Sequence, residues 1–441
     1  MKKYISKILS IVLGIGLTII IVTSCNEDKF LDVPRTDRLA FDNYPNEPED
    51  FDFLLNDLYG RLRNGMYLAF DFPSITWARG HEIDIANPVF LEFARMDILP
   101  SNGKINGVWN NYYSNIARTN SFLDAVNVYR ENNPEASADI KRTMDLKEAQ
   151  VLFIRAFNYF YLVTLYGETA VSEPADLSKM GVPLFTSVAI NLEETQKGRS
   201  SIGDVYNLII SDLIKAEGIL AGVTWPESEI ARVNEWGVKG LLGKAYLYSL
   251  QYAEAANKFK DIIDNSGKSL VPFNIYRDMF SDMHEFNSES LFELNYNTSG
   301  LGSWNSREQT SHFLGVFNSP LYMNGDRKVD KGGGFGNFIV HDKNLLRYGY
   351  DYPTIVNQEA LQVDGVFISD ELIKTQLAGY LDHAREIREN ITVDPRLFVT
   401  TLQPFYDSVL IENTPQVVVK NPGDGIVLSN LYSWSNRKYA A

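Results

Sequence analysis

The sequence predicts a mostly α-helical protein in which helical repeats frame a loop-rich half carrying short β-strands. Three observations point there. Apolar residues recur at three- and four-residue spacing through most of residues 48–265, the period of an amphipathic helix. Small and aromatic residues alternate at fixed spacing between Leu242 and Phe259, as they do where two repeat helices touch. Past residue 265 that periodicity lapses into Gly, Asn, Asp and aromatic residues, with one later return to helix.

Taken in order, residues 1–24 have the parts of a secretory signal peptide. Lys2, Lys3 and Lys7 make a basic start, Ile8 to Val22 is apolar, and Thr23-Ser24 supplies small residues before the cleavage point. The apolar run is short for a membrane span and is followed by the acidic Asn26-Glu27-Asp28, which favours cleavage over a retained anchor. Cys25, the one cysteine of the chain, comes next. Val22-Thr23-Ser24-Cys25 resembles a bacterial lipobox, which implies a diacylglycerol on the thiol and a fatty acid such as palmitate on the new amino terminus. Residues 25–47 then read as a polar, proline-bearing tether, and 48–441 as one body, since no Pro/Gly/Ser-rich linker divides it.

Within the body, Phe51, Leu54, Leu55, Leu58 and Leu62 predict a first helix. "VWNNYYSNIARTNSFLDAV" (108–126) predicts a second through Tyr112, Ile116, Asn120, Leu123 and Val126. "LKEAQVLFIRAFNYFYLVTLYG" predicts a third, with a stripe of Ala149, Leu152, Phe153, Ala156, Phe160 and Val163 and a glycine C-cap at Gly167. "VYNLIISDLIKAEGIL" is one more helix, and "NEWGVKGLLGKAYLYSLQYAEAANKFKDII" a helical pair. In that pair Leu242-Gly243, Tyr246, Tyr252, Ala255 and Phe259 match the tetratricopeptide pattern, without its tryptophan and proline positions. Gly243 and Ala255 would let the backbones approach, with Tyr246 and Phe259 packed around them. The loop-rich half, about 266–441, contains the expected strands "SLFELNYN" (290–297), "PRLFVTTLQPF", "PQVVVK" and "IVLSNLYSW", and the helix "ISDELIKTQLAGYLDHAREIREN".

These blocks, in this order after the lipobox and "FLDVP", resemble the SusD/RagB-like outer-membrane lipoproteins of Bacteroidetes. The resemblance implies tetratricopeptide-like helical repeats, nutrient binding at the cell surface, and a SusC-like TonB-dependent transporter as partner. It implies a lipid-anchored position on the outer membrane, with Glu27 and Asp28 resembling the signal for export to the exterior. Family members continue past the segment here spanning Trp434 to Tyr439 into a further helix pair, so the C-terminal repeat is expected to be truncated.

Composition narrows the function further. The formal charge of −15 would become −18 on removal of the three leader lysines, a poor surface for nucleic acid. A single cysteine excludes an intrachain disulfide. "RGHEID" gathers His81, Glu82 and Asp84 but lacks the second histidine of a helical zinc site, and "KGGGFGNF" (331–338) lacks the Gly-Lys-Ser/Thr of a phosphate loop. Asp394-Pro395-Arg396 reads as a turn with an ion pair, and Arg155 as a paired, partly buried structural arginine. No catalytic group, metal or cofactor is expected. Aromatic residues in polar loops are the better functional signal, because a flat ring can stack on the C–H face of a sugar. Trp77 in "PSITWARGHEID" and Trp304 in "TSGLGSWNSREQ" have that setting, whereas Trp109 and Trp236 lie on repeat helices and read as core. The expected function is glycan binding without catalysis. Binding of peptide or another nutrient, and a surface glycoside hydrolase with two carboxylates about 5–10 Å apart, are the alternatives.

Overall fold

A computed structural model describes residues 44–63, 71–80, 83–85, 90–168, 176–279 and 284–295. It further describes 322–323, 338–351, 362–363, 366–367, 370–403, 406–411, 414–417, 427–428 and 435–436. Eight longer helices organise them: α1 (Asp50–Leu62), α2 (Asp71–Ala78), α3 (Gly103–Asn132), α4 (Ala138–Tyr166), α5 (Ile202–Leu220), α6 (Glu235–Tyr248), α7 (Tyr252–Asn265) and α8 (Asp370–Glu389). Each of α3 to α7 packs on the next, and α1 lies against α3 and α4. This is the serial stacking of a helical solenoid, in which each helix buries its face on its neighbours.

Helix starts follow capping chemistry. Asn102, Ser137, Ser201 and Asn234 each accept backbone N–H groups of the first turn, satisfying donors that have no partner within α3, α4, α5 and α6 respectively. The expected stripes are buried, Phe51, Leu55, Leu58 and Leu62 on α1 with Leu54 only partly so, and Tyr112, Ile116, Asn120, Leu123 and Val126 on α3. On α4 burial goes almost all round, from Glu148 to Ala156 without a break. A helix buried on every side belongs in the centre, between α3 and α5. Gly167 does end α4, but with extended backbone (φ −73°, ψ 162°) rather than the left-handed cap. Glycine is favoured there sterically, since a Cβ would lie 2.5 Å from the Val163 carbonyl oxygen.

The repeat pattern of α6 and α7 marks a close contact. A Cβ built on Gly243 would stand 2.5 Å from Cε1 of Phe259, and Ala255 is buried beside it. Glycine at this site makes room for a phenylalanine ring.

Two polar nodes lock α3, α4 and α5 together. Arg155 on α4 donates through Nε and Nη2 to the two carboxylate oxygens of Asp212 on α5, both at 2.8 Å, and through Nη1 to Oδ1 of Asn120 on α3 at 3.0 Å. Two turns earlier, Glu148 accepts from Arg130 of α3 at 2.8 Å and from Lys215 of α5 at 2.5 Å. Arg155 is thus paired as expected, and it is buried more completely than its sequence setting suggests. Burial opposes its charge, but the Asp212 hydrogen bonds and carboxylate prevail and hold its pKa above the ordinary guanidinium value.

The loop-rich half differs from expectation in two places. Residues 290–295 form no strand; Phe292 and Leu294 pack on the main core instead. Residues Arg396–Thr400 are a short helix, followed by the strand β3 defined below. Asp394 accepts the N–H of Arg396 at 2.9 Å, so the Asp-Pro start signal outweighs the β-branched residues that follow. A four-stranded antiparallel sheet is built from β1 (Ile83–Ile85), β2 (Phe338–Val340), β3 (Thr401–Leu402) and β4 (Ser435–Asn436) in the order β1-β2-β4-β3. One strand therefore comes from the helical half and three from the other. A hairpin pairs Ser408–Ile411 with Thr414–Val417, the latter overlapping the expected "PQVVVK" strand. A second apolar cluster of Val340, Leu345, Tyr350, Ile387, Val393 and Leu397 supports α8.

Two expectations test this packing. Gly243→Leu should lower stability by about 1–3 kcal/mol, the usual cost of overpacking, and an unchanged melting temperature would contradict the contact with Phe259. Arg155→Met, which leaves Asp212 buried without its partner, should cost roughly 3–5 kcal/mol in denaturant unfolding. The double replacement Arg155→Met/Asp212→Leu should recover most of that loss; equal costs would show that the charge pairing is not what matters there.

Candidate functional site

The helical body and the strand-bearing half meet at α2 and β1. Helix α2 buries Asp71, Ser74, Ile75 and Ala78, one face at i, i+3, i+4 and i+7 spacing. Phe72 docks edge-on against Tyr161 of α4 at 4.9 Å and Tyr112 of α3 at 6.3 Å. Asp71 ties the helix down by accepting from Nζ of Lys104 at 2.7 Å. Burial pushes the Asp71 carboxyl up while Lys104 opposes it. Five residues beyond the end of α2, β1 contacts that helix and enters the sheet beside β2, Ile83 opposite Val340 and Ile85 opposite Phe338.

Trp77 sits on this seam, half-buried, with part of its ring on the main core and part open. Its position follows from spacing: at i+6 from Asp71 it lies on the flank of the buried face. Trp304, Cys25, His81 and Glu82 lie outside the described residues, as does most of "KGGGFGNF". The position of Trp77 relative to Trp304 therefore lies outside what the described residues define. Trp109 is core-associated, 4.8 Å from Tyr113 and 5.0 Å from Tyr166 between ring centres. Trp236 carries Lys239 Nζ 4.4 Å above its ring.

A strap, residues 182–188, lies along α3 and α4 and is held by side chains that also belong to the helix interface. Tyr113 donates to the Pro183 carbonyl at 2.9 Å, and the Tyr159 hydroxyl both donates to Phe185 O at 3.0 Å and accepts from Phe185 N at 2.7 Å. Asn120 donates to Phe185 O at 2.8 Å, and Asp124 accepts from Val188 N at 3.1 Å. Burial pushes the Tyr159 hydroxyl up to about 12, so it stays protonated and able to donate at neutral pH. Asp394 and Arg396 form the expected ion pair, Nε donating at 2.9 Å to Oδ2. Among the described residues no cluster of three His, Cys, Asp or Glu side chains is arranged to hold a metal ion. No described helix is long and apolar enough to cross a membrane.

Comparison with known proteins follows the helical body. A SusD-like family model, described as starch-binding associating with outer membrane, matches residues 42–247. "SusD-like protein P25" of Formosa agariphila is 26% identical over 244 residues, 55% of this chain and 42% of the relative. The chain spans 42% and 50% of the lengths of the curated relatives from Formosa agariphila and Bacteroides ovatus. Among solved structures, a SusD-like protein from Bacteroides fragilis superposes with a TM-score of 0.61 at 19% identity, covering 88% of this chain and 67% of that one. A structure described as a laminarin-binding SusD-like protein gives 0.58 at 19% identity, covering 90% of this chain and 73% of that one. At such identities the superpositions speak for the fold, and the stacked helices with their small strand-bearing half are that fold. Family model, sequence relatives and architecture agree in direction: over residues 42–247 this chain is similar to SusD-like proteins, and it shares their fold.

Proposed function

We propose that this protein is a lipid-anchored protein of the outer membrane that binds glycan, as polysaccharide or oligosaccharide, and delivers it to a SusC-like TonB-dependent transporter. The observation that carries this reading is the family match over residues 42–247, which covers α1 to α6 and the α2 seam. The solved relative described as laminarin-binding supports a saccharide as the ligand class. Cys25, directly after an apolar leader, supplies the thiol for a lipid anchor. Several acyl chains hold a protein on a bilayer where one holds it marginally, at about 0.8 kcal/mol per buried methylene.

Trp77 and Trp304 are the proposed sugar platforms. A tryptophan on a rigid edge loses little freedom on binding and offers a broad apolar face to a pyranose ring, and Trp77 has that support from α2. Ring hydroxyls would pair with the polar side chains around each tryptophan. The role is capture without turnover.

Titration with a panel of neutral oligosaccharides tests the reading. Trp304→Ala should weaken binding by about 1–3 kcal/mol, the size of a hot-spot contact, with the melting temperature unchanged. Trp77→Ala should weaken binding and also lower stability, since part of its ring packs on the core. Full affinity in both variants would overturn the platform, and release of shortened saccharides from a polysaccharide would favour a hydrolase instead.

A further inference from the structure

A second concave site lies on the helical body. It is a cleft of about 630 Å³, walled by α1, by the turn at 228–232 that precedes α6, and by the returning segment 285–295. That volume falls within the roughly 300–1,000 Å³ of small-molecule sites. Its chemistry combines donors, acceptors and aromatic surface. Arg63, at the end of α1, makes only one hydrogen bond among the described residues, to the Asn295 carbonyl at 3.5 Å. That is the outer limit of such a bond, so the guanidinium is poorly satisfied by the described residues. In the same corner, Oδ1 of Asn295 is shielded from solvent and accepts no hydrogen bond from the described residues. A shielded acceptor without a donor costs about 1–3 kcal/mol, and native structures retain few of them without a reason.

The remaining walls are better anchored. The Tyr59 hydroxyl is fully engaged, donating to Gln150 at 3.0 Å and accepting from Val233 N at 3.1 Å. Only its ring is left to face a ligand. Phe286 is held at a φ of 52°, a conformation rare for a bulky residue. Its N–H is fixed on Glu293 Oε2 at 2.9 Å. Arg232 is committed to Glu229 at 3.2 Å and Gln150 at 3.3 Å.

We propose that this cleft is a second ligand site, separate from the tryptophan platforms, that binds a neutral saccharide through Arg63, Asn295, Glu293 and the rings of Tyr59 and Phe286. Charge decides the class. Three carboxylates line the cleft, Glu229, Glu285 and Glu293, against two guanidiniums, Arg63 and Arg232, so an anionic ligand meets net repulsion. Sugar hydroxyls donate and accept at once. They can accept from the Arg63 guanidinium and donate to the Glu293 carboxylate together, while ring C–H faces cover the aromatic surface. The ligand class rests on the saccharide reading of the preceding subsection; the location does not.

The test is calorimetric titration of the full chain with neutral oligosaccharides from β-glucan, mannan and xylan, and with an oligouronate of matched length. A Trp77→Ala/Trp304→Ala background should retain one class of neutral-sugar binding. Adding Arg63→Ala should weaken it roughly tenfold or more, as expected for loss of a charged hydrogen-bond donor. Asn56→Trp, which fills the mouth of the cleft from an exposed position on α1, should abolish it without changing the melting temperature. Unchanged affinity in both cleft variants would overturn the second site and leave the platform reading intact. Tighter binding of the oligouronate would overturn the neutral assignment. A wild-type chain that binds none of the sugars would overturn both readings.

Discussion

Arg155 and Glu148 stand two turns apart on one face of α4, opposite in charge, and the stacking of the protein depends on how they are answered. On α5 they meet Asp212 and Lys215, and on α3 Asn120 and Arg130. Apolar packing alone would tolerate a slip of one helix along another, because Leu, Ile and Val substitute for each other in a groove. Charge does not. Sliding α5 one turn, about 5.4 Å, would bring Lys215 toward Arg155 or Asp212 toward Glu148. A pair buried on both sides, as Arg155 and Asp212 are, adds little net stability over a well-packed apolar substitute, since desolvation offsets its attraction. The contribution of these charges here is a unique register. Burial raises the Asp212 carboxyl while Arg155 lowers it, whereas Glu148, held by Lys215 and Arg130 against its own burial, stays below the ordinary carboxylate range.

That register propagates outward. Asn120, which completes the Arg155 node, also holds the strap at Phe185, so the helix interface and the surface crossing it share one residue. On the same two helices Tyr112 and Tyr161 receive Phe72, which fixes α2 and with it Trp77. Strand β1 then carries the chain into a sheet made mostly from the other half. A ligand surface on this seam would thus be positioned by elements whose spacing is set in the interior. Loops on a rigid scaffold can vary in sequence without disturbing what presents them.

Much of the helical half was legible in the sequence because burial there follows the 3.6-residue period. A charge on an apolar stripe marked Arg155 as paired, but not its partner. Asp212 and Glu148 look like ordinary solvent-facing acids when read along their own helices. Gly243 and Phe259 were readable together, since repeat helices impose a fixed spacing on their contact. The strand-bearing half was less legible. Phe292 and Leu294 alternate like a strand, yet they bury themselves on the core without pairing. Arg396–Thr400 has strand-forming side chains under a helix-starting Asp-Pro. Trp77 was identified from its polar neighbours, but its half-burial depends on α3 and α4. The cleft had no sequence signal at all: Arg63 and Asn295 stand 232 residues apart and meet only through folding.

The most direct test is hydrogen–deuterium exchange of the purified chain with and without a saturating neutral oligosaccharide. Slower exchange should appear in peptides spanning α2 and β1, residues 71–85, with the α4–α5 interface unchanged because it is already rigid in the free protein. Exchange that is identical with and without the sugar, or protection confined to α6 and α7, would contradict ligand capture at the seam between the two halves.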